Sequence, residues 1–577
     1  MRYLSIVLCA VFVCTPAIAQ LTDSPVIRYE DLTHPVLGSS GMVAAQNSLS
    51  AQAGAEVLAD GGNAVDAAVA VGFSLAVTLP RAGNLGGGGF MLIHDAETRE
   101  NAAIDYREMA PLRATRDMYL DESGNVDPTR SKFSHQASGV PGTVAGLYYA
   151  HRRYGHLPWR RLLTPAIRQA QRGIIVSYDL AELLKTRKDA LCRNEAACSY
   201  FYKKGGVPYA AGERLVQKDL ARTLKLIARQ GPEAFYEGAI ADMIDAEMQR
   251  GGGYVDKASL ASYKPTRREV VRGTYRGYEI VTMPPPSSGG VHLIQMLNVL
   301  EHFPVKETGF GAADNVHLLA EVARLAYADR SRHLGDPDFY PVPVSWLTSK
   351  KYAEQLAQTI DMQVARKSED VAPGIAPHPE SEDTTHFSII DADGNVVSNT
   401  YTLNFSFGSG VAVPGAGFLL NNEMDDFVSK PGVPNAFGLL GGEANAVAPL
   451  KRPLSSMTPT IIFANGKPWF ATGSPGGSRI ITSVLQMVVN TLDHGMNLAE
   501  ASSAPRMHHQ WFPDLLQLEP GFSPDTIALL KERGHQVKAS RYSMGSLQTA
   551  GFRDGVFRGA SDPRRPNAGS YAPPPSP

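Results

Sequence analysis

The chain has 577 residues and a mass of 62.1 kDa, with 19% charged residues and a formal net charge of −2 at pH 7. A chain of this length buries a large core and is expected to form two or more packing units. The balanced charge argues against a nucleic-acid-binding surface or an acidic tail. Neither GxxxxGK nor GxGxxG occurs, so the sequence carries no nucleotide-binding signature, and we expect no cofactor.

The first twenty residues have the pattern of a secretory signal peptide. Arg2 precedes an apolar run that ends in Ala17-Ile18-Ala19, and cleavage is expected before Gln20. A membrane anchor is the alternative interpretation, but the apolar run is shorter than the ~20 residues that a span needs. We therefore predict a signal peptide at 1–19 and a periplasmic or secreted protein with no stable membrane span.

Two of the four cysteines, Cys9 and Cys14, lie within the predicted signal peptide. The remaining pair, Cys192 and Cys198, is closely spaced in an exported protein, which predicts a local disulfide. Free thiols are the alternative. No metal site is expected here, because there are only two thiols and no nearby histidine.

The N-terminal elements predict a strand followed by two helices. The strand is expected at 41–46, and the first helix at 50–59 ends at the following glycine pair. The second helix, 63–79, is capped by Asn63 and stopped by Pro80. It is too apolar for the surface, so it should lie between layers or against a sheet.

A glycine-rich segment at 83–89 (GNLGGGG) leads into a predicted strand, FMLIHD. Adjacent glycines allow the backbone to approach other groups closely, so we favour tight packing there over a flexible loop. Helical patterns dominate between 140 and 370, interrupted by the segment 284–290 (PPPSSGG). These patterns cover 159–171, 215–231, 239–253 and 290–303.

From Thr384 onward the patterns change to strands and hairpins. The segments 385–390 and 396–403 flank Asp393-Gly394 and predict a hairpin. Further strands are expected at 417–422, 459–464 and 468–473, followed by a helix at 480–495. The Pro-rich tail at 570–577 is expected to be disordered. Strands at both ends of the chain, with helices between and after them, suggest layered sheets covered by helices.

The stretch SEDTTHFSII places Thr384 after an acidic loop containing Pro and Gly, at the start of a strand. Thr in an edge strand is the simple interpretation. The alternative is that the chain is cut after Asp383, so that Thr384 carries both a hydroxyl nucleophile and a free α-amine. An α-amine has a pKa near ~8, which suits a general base. A Ser-His-Asp triad also stays open, because its members come from distant segments.

Several long blocks resemble γ-glutamyltransferases, also called glutathione hydrolases. The resemblance runs from about Gly41 to Arg564, with all blocks in the family order. It implies the N-terminal-nucleophile hydrolase fold, an α+β four-layer αββα sandwich. It also implies self-cleavage between Asp383 and Thr384 into a large subunit, 20–383, and a small subunit, 384–577, which stay associated as a heterodimer. The blocks are GGNAVDAAVA, GNLGGGGFMLIHD, AIDYREMAP, SGVPGTVAG, MPPPSSGG, TTHFSIIDADGNVVSNTYTLN, NNEMDDF, KRPLSSMTPTI and TGSPGGSRIITSVLQMVVN.

The resemblance also implies roles for individual residues. Thr384 is similar to the nucleophile, and Thr402 to the hydroxyl that hydrogen-bonds it. Gly476 and Gly477 resemble the oxyanion hole, where glycines let two backbone N–H groups converge on one oxygen.

The substrate-binding residues follow in the same way. Arg107 resembles the clamp for the donor's α-carboxylate, because a guanidinium matches a carboxylate in a bidentate geometry. Ser455 and Ser456 would donate hydroxyls to the same carboxylate. The residues that resemble the acceptors of the α-ammonium group are Asn404, Glu423 and Asp426.

The segment 431–446 resembles the lid over the substrate pocket, and here the chain departs from many bacterial relatives. They place a Tyr whose hydroxyl reaches the Asn equivalent to Asn404, whereas this chain has Phe437. The aromatic wall is kept, but that hydrogen bond cannot form.

The predicted function is therefore transfer of a γ-glutamyl group from glutathione and related donors to amino acids, peptides or water. A cephalosporin (glutaryl) acylase of the same fold is the closest alternative, although a glutaryl group lacks the ammonium that Asp426 would bind. An uncleaved amino-acid-binding protein is the alternative from another class. The adjacent His508 and His509 are not expected to bind a metal, since neighbouring side chains on a regular element diverge.

Overall fold

The structure is a computed structural model that describes residues 33–371, 384–431, 433, 435 and 439–574. The predicted signal peptide, Asp383 and Phe437 lie outside the described residues, as does the end of the tail from 575. Among the described residues, no helix has both the length and the apolar character needed to cross a bilayer.

The strands are short, and most of them belong to two large sheets. In chain order they are β1 (Val36–Gly38), β2 (Gly41–Ala45), β3 (Gly88–His94), β4 (Asn101–Tyr106), β5 (Ile174–Ile175), β6 (Tyr202–Lys203), β7 (Val207–Pro208), β8 (Arg214–Leu215), β9 (Thr266–Arg268), β10 (Val271–Tyr275), β11 (Tyr278–Thr282), β12 (Thr385–Asp391), β13 (Val396–Thr402), β14 (Thr460–Ala464), β15 (Lys467–Thr472), β16 (Met507–His508), β17 (Leu516–Leu518), β18 (Val537–Ala539), β19 (Gln548–Arg553), β20 (Val556–Ser561) and β21 (Gly569–Tyr571).

Helices are concentrated before residue 372, as the sequence predicts. They are α1 (Ser48–Ala59), α2 (Ala64–Thr78), α3 (Pro128–Lys132), α4 (Thr143–Tyr154), α5 (Trp159–Arg172), α6 (Tyr178–Thr186), α7 (Lys188–Leu191), α8 (Glu195–Phe201), α9 (Lys218–Gln230), α10 (Glu233–Tyr236), α11 (Ala239–Gly251), α12 (Lys257–Ser262), α13 (Gly289–Leu300), α14 (Val305–Thr308), α15 (Ala313–His333), α16 (Val344–Leu347), α17 (Lys350–Ala357), α18 (Ser368–Val371), α19 (Arg479–Leu492), α20 (Leu498–Ser503) and α21 (Pro524–Glu532).

Two seven-stranded sheets pack face to face in the centre of the protein. Sheet A has the order β1-β20-β19-β15-β14-β11-β10, and sheet B has the order β21-β2-β12-β13-β3-β4-β9. Helices α1, α2 and α4 cover the outer face of sheet B, while α13 and α20 contact sheet A and α19 packs against both of them. The predicted four-layer αββα sandwich is therefore confirmed.

The hairpin β12–β13 occupies the middle of sheet B and brings the start of the Thr384 block into the core. Its strands pair antiparallel, with Thr385 opposite Tyr401, and all residues of both strands are buried. The predicted turn is present: Gly394 has a φ of 91°, and the Asp391 carboxylate accepts from the N–H groups of Asp393 and Asn395. Because β12 lies between β2 and β13, Thr384 directly precedes a central strand of the sheet.

Helix α2 explains why its sequence is apolar on every side. All of its residues are buried, since it packs between α1, α5 and the strands β12 and β13. Asn63 caps it in a capping box with Asp66, as the cap prediction requires. The predicted position of this helix against a sheet is confirmed.

The glycine run at 83–89 packs tightly, as predicted. A Cβ on Gly87 would lie 2.0 Å from the carbonyl oxygen of Thr402, and one on Gly89 would lie 2.4 Å from that of Thr400. The glycines therefore let this segment lie directly against β13. The predicted disulfide between Cys192 and Cys198 is also present and joins the C-cap of α7 to the middle of α8.

Two predictions of local structure are wrong. The segment 417–422 forms only isolated bridges, because Gly417 has a φ of 78° and Asn421 turns both its backbone and side-chain N–H groups toward Gly86. The tail predicted to be disordered at 570–577 is partly ordered, because its first residues belong to β21, which pairs with β2. Without β21, β2 would be an unpaired edge strand of sheet B.

Candidate active site

Thr384 lies at the N-terminal end of β12 and is buried. Its Oγ lies 3.3 Å from the Oγ of Thr402, the last residue of the neighbouring strand β13. The Thr402 oxygen also accepts from the backbone N–H of Asn404 at 2.8 Å, which is compatible with Thr402 donating its own hydrogen toward Thr384. Strand pairing therefore sets the distance between the two hydroxyls.

The glycine pair directly precedes Ser478, the N-cap residue of helix α19, and Gly477 faces the same space. Gly476 and Gly477 have φ values of 132° and 54°, a conformation that favours glycine. Gly477 and Ser478 line one cavity together with Thr384. Backbone N–H groups at the N-terminus of a helix are well suited to stabilise negative charge, because they lack intrahelical partners and lie at the positive end of the dipole. The arrangement can hold an oxyanion beside the Thr384 hydroxyl.

Arg107 follows β4 and is fully buried. Its guanidinium forms ion pairs with Glu423 and Asp426, which belong to the 3₁₀ helix Glu423–Asp426, and its Nε donates to the carbonyl of Pro453 at 3.2 Å. Burial alone would lower the pKa of Arg107, but the surrounding carboxylates outweigh burial and raise it, so the group stays cationic. The clamp and the acceptors predicted from the sequence thus form one charged cluster.

The carboxylates of this cluster are destabilised by burial. Burial raises the pKa of Glu423 and of Asp426, and the Arg107 guanidinium opposes that rise without cancelling it. Glu108 lies 3.8 Å from Arg107, and burial raises its pKa to about 7. Within the described residues, neither oxygen of the Glu108 carboxylate has a hydrogen-bond partner.

Ser455 and Ser456 lie opposite the segment 284–290, whose interruption of the helical pattern is now explained. Ser455 accepts at its carbonyl from both the N–H and the hydroxyl of Ser288, at 2.8 and 2.7 Å, and donates its own N–H to the carbonyl of Pro286. The two segments therefore fix each other. The Ser456 hydroxyl lines the cavity and accepts from Arg330 at 3.3 Å.

Asn404 has a left-handed backbone, with a φ of 76°, and its side chain lines the cavity. Its Nδ2 donates to the carbonyl of Asn422 at 3.0 Å, which orients the Oδ1 away from that carbonyl. Asparagine adopts this conformation more readily than most other non-glycine residues. Asn404 can therefore offer an acceptor to a ligand.

Arg330 was not identified from the sequence, although it lines the same cavity. It comes from α15, and its Nε donates to the hydroxyl of Ser288 at 2.9 Å. Burial lowers its pKa to about 10, so it is still protonated at neutral pH. No local pattern in YADRSRHLGDP distinguishes this arginine from its exposed neighbours, so only the fold reveals it.

The cavity is small, with a volume of about 20 Å³, and most of its lining residues are polar or charged. Every predicted catalytic or binding residue within the described part of the chain lines it except Gly476, which is adjacent to the lining residue Gly477. Besides Arg330, the lining residues that sequence reasoning missed are Leu439, Met457, Ser478 and Ile480. The structure thus gathers one nucleophile candidate, charges of both signs and a helix N-terminus within a single small space.

A cluster of His317, Glu321 and His535 has metal-ligand spacing, with ligand atoms within 4.8 Å of one another. These groups already bind each other and their neighbours. His317 Nδ1 lies 2.8 Å from His535 Nε2, its Nε2 donates to the carbonyl of Asp361, and Glu321 accepts from the Arg324 guanidinium. That positive charge disfavours a cation. His508 and His509 bind separate partners, Thr482 and Asp514.

Comparisons with known proteins give a consistent assignment. The protein-family model described as gamma-glutamyltranspeptidase matches residues 50–572. The chain is 53% identical to the glutathione hydrolase proenzyme of Escherichia coli K12, over 95% of this chain and 94% of that protein. It is 41% identical to an acylase ACY 1 proenzyme of Pseudomonas sp. SE83, over 93% and 95% of the two chains.

A solved structure confirms the fold independently. The cephalosporin acylase from Bacillus halodurans superposes with a TM-score of 0.83 at 28% sequence identity, and the match covers 96% of this chain and 98% of that one. The shared architecture is that of the N-terminal-nucleophile hydrolases. With a family match over nearly the whole chain and a relative at 53% identity, the chain belongs to the gamma-glutamyltranspeptidase family.

Proposed function

We propose that this protein is a γ-glutamyltransferase and glutathione hydrolase whose nucleophile is Thr384. The observation that carries the proposal is the single cavity in which the Thr384 hydroxyl faces two arginines and two carboxylates. A γ-glutamyl group presents an α-carboxylate and an α-ammonium at one end and a carbonyl at the other. The cavity offers a complementary group to each of these.

The donor's charged end would be bound by the cluster around Arg107. The α-carboxylate binds the guanidinium of Arg107 and the hydroxyls of Ser455 and Ser456, while Glu423, Asp426 and Asn404 accept from the α-ammonium. The two carboxylates hold Arg107 in place. The incoming zwitterion therefore exchanges one set of ion pairs for another, which limits the desolvation cost of binding.

Catalysis would proceed through an ester. The Thr384 Oγ attacks the γ-carbonyl carbon while the free α-amine of the same residue takes the hydroxyl proton. The N–H groups of Gly476 and Gly477 stabilise the tetrahedral oxyanion. The departing amine takes the proton and leaves a γ-glutamyl ester on Thr384. Water or the amine of an acceptor then attacks the ester and restores the hydroxyl.

The α-amine exists only after the chain has been cut. Thr384 Oγ would attack the Asp383 carbonyl carbon, and the peptide C–N bond would break as its nitrogen takes the hydroxyl proton and becomes the free α-amine. Hydrolysis of the resulting ester would restore the hydroxyl and release the chains 20–383 and 384–577. Support comes from the proenzymes among the relatives and from the Thr384–Thr402 contact. The mature heterodimer would act in the periplasm or outside the cell, on glutathione and other γ-glutamyl donors with amino acid or dipeptide acceptors.

An acylase of the same fold is the second candidate, supported by the 41% identity to the ACY 1 proenzyme and the superposition on cephalosporin acylase. The two activities differ in one group. A glutaryl chain has a terminal carboxylate but no ammonium, so it leaves Glu423 and Asp426 without a cationic ligand. The buried acidic pair therefore favours a γ-glutamyl donor.

Two matched anilides, γ-glutamyl and glutaryl, decide between these activities. Purified protein should give two bands on an SDS gel and should cleave the γ-glutamyl anilide, faster when a dipeptide acceptor is added. Thr384→Ala should stay as a single inactive chain. Thr385→Ala is the matched control, because it removes a neighbouring buried hydroxyl that has no partner among the described residues. A single band for the wild type, or preference for the glutaryl anilide, would contradict the proposal.

A further inference from the structure

A buried polar network lies behind the turn formed by Gly476, Gly477 and Ser478. The phenolic hydroxyl of Tyr327, from α15, donates to the carbonyl oxygen of Ser478. The hydroxyl of Ser478 donates to Oε1 of Gln510 at 2.6 Å. Both Tyr327 and Gln510 are buried, so neither bond competes with bulk water. Ser478 is thus held through its backbone and its side chain at once.

The hydrogens of this network can be assigned from its acceptors. Gln510 donates its Nε2 to the carbonyl of Phe512 at 3.1 Å, so its Oε1 faces Ser478 and His508. His508 Nε2 lies 2.8 Å from that oxygen and must carry the hydrogen, while its Nδ1 accepts from the hydroxyl of Thr482. Burial keeps the pKa of His508 well below its ordinary value, so the ring is neutral. One donor pattern satisfies the whole set.

The network joins two elements that approach the turn from different directions. Tyr327 and His508 meet edge to face, with ring centroids 6.0 Å apart and planes at 89°. Three residues after Tyr327, on the same face of α15, Arg330 lines the cavity. The helix that contributes to the charged end of the cavity therefore also supports the turn at its other end.

A glycine pair in the left-handed region needs this kind of support. Glycine loses more conformational freedom than any other residue when it is ordered, and no side chain of its own fixes its N–H direction. Donors aimed at an oxyanion must hold their geometry within about 0.5 Å to be effective. The hydrogen bonds of Tyr327 and Gln510 to Ser478, the residue after the pair, restrict the backbone conformation of the two glycines.

We propose that Tyr327 and Gln510 are positioning residues that hold the Gly476–Ser478 turn in the geometry that stabilises the oxyanion. The inference rests on the proposed function, because it assigns a support to the oxyanion site of that reaction. Neither residue touches the substrate. Their contribution is expected in the stabilisation of tetrahedral species and not in the binding of the donor's charged end.

Two ligands separate these effects in the mature enzyme. A boronic-acid analogue of the γ-glutamyl group forms a tetrahedral adduct with the nucleophile and places an oxygen in the oxyanion site. L-Norvaline carries the same charged end and chain but has no γ-oxygen. In Tyr327→Phe, we expect kcat/KM for a γ-glutamyl anilide to fall ~10-fold and the inhibition constant of the boronate to rise by the same factor, as for other buried donors. The inhibition constant of norvaline should stay within about twofold.

The matched control is Tyr202→Phe, since Tyr202 also donates its hydroxyl to a buried backbone carbonyl, that of Leu184 at 2.7 Å. It should change none of the three constants. Gln510→Met keeps the shape of the side chain but removes the acceptor for Ser478, so it should change the three constants in the same way as Tyr327→Phe. If Tyr327→Phe does not mature, Gln510→Met serves as the test of the inference.

An unchanged inhibition constant of the boronate in these variants would overturn the inference. An equal rise in the inhibition constants of the boronate and of norvaline would also overturn it, because that result would indicate a general loss of order in the pocket. A wild type that cleaves no γ-glutamyl anilide would overturn the proposed function and this inference together. Active wild type with an unaffected boronate would overturn the inference alone.

Discussion

The raised pKa of Glu108, a member of the charged cluster, can be measured through its effect on the pH dependence of stability. It is fully buried beside Arg107, and the groups that face it are the Arg107 guanidinium and the carboxylates of Glu423 and Asp426. Its pKa is raised above the unfolded value, so the folded protein binds the proton more tightly than the unfolded chain. The stability that this group contributes is therefore present at low pH and is lost as the pH rises from about 4.5 to about 7.

The size of the effect follows from the same values. The pKa lies at about 7 against 4.5 for an unburied glutamate, and at 1.36 kcal/mol per pKa unit the difference corresponds to about 3 kcal/mol. An unfolding entropy of ~2.1 cal/mol/K per residue over 577 residues converts this into roughly 3 °C of Tm. Glu108→Gln does not titrate. Its Tm relative to the wild type should therefore rise by about 3 °C between pH 4.5 and pH 7.5.

Thermal unfolding of the two proteins in parallel at several pH values tests this. Glu247→Gln is the control of opposite sign, because Glu247 is also buried but Arg250 and His135 outweigh burial and lower its pKa. The stability that Glu247 contributes is present above its unfolded pKa of 4.5 and is lost as the pH falls below that value. The Tm of Glu247→Gln relative to the wild type should therefore stay nearly constant between pH 4.5 and pH 7.5 and rise below pH 4.5. A constant difference between Glu108→Gln and the wild type would show that Glu108 is ionised throughout at no cost, and the reasoning would fail.

Two further predictions concern the donor clamp and the disulfide. Arg107→Lys keeps the charge but loses one charge-assisted hydrogen bond of about 1.5–3 kcal/mol, so kcat/KM for a γ-glutamyl donor should fall ~10- to 100-fold with normal maturation on a gel. Undiminished donor use by Arg107→Ala would rule this role out. Replacing Cys192 and Cys198 by Ser opens a loop with a sequence separation of six residues and should lower stability by about 2 kcal/mol. Calorimetry should then show a lower Tm with unchanged donor kinetics, and an unchanged Tm would mean that the bond constrains nothing.

The hairpin at Thr384 could be predicted from the sequence because its signals are local. Alternating residues, an Asp-Gly turn and a following strand specify the pairing of β12 with β13 without reference to the rest of the fold. The strand predicted at 417–422 failed for the complementary reason. Its apolar residues suit a strand, but Gly417 and the hydrogen bonds of Asn421 to Gly86, a distant segment, decide its conformation.

The candidate site shows the same division. Motif blocks identified Arg107, Glu423 and Asp426, yet they gave no indication that these side chains bind one another. Arg330 and Tyr327 were missed altogether, since each is one polar residue in a long helix whose contacts come from the packing of α15. Long-range packing of single residues leaves no pattern along the chain.

The order of strands has a consequence for the cut proposed at Thr384. In sheet B, β12 and β13 would belong to the C-terminal product, while β2 on one side and β3 on the other would belong to the N-terminal one. In sheet A, β20 and β14 of the C-terminal product likewise pair with β1 and β11. The cut would therefore fall within one continuous fold and would not separate two domains, because strands of both products pair with one another in each sheet. Dissociation of the products would break the backbone hydrogen bonds between neighbouring strands in both sheets. Dissociation and unfolding would therefore occur together. Neither product expressed alone would contain all the strands of either large sheet.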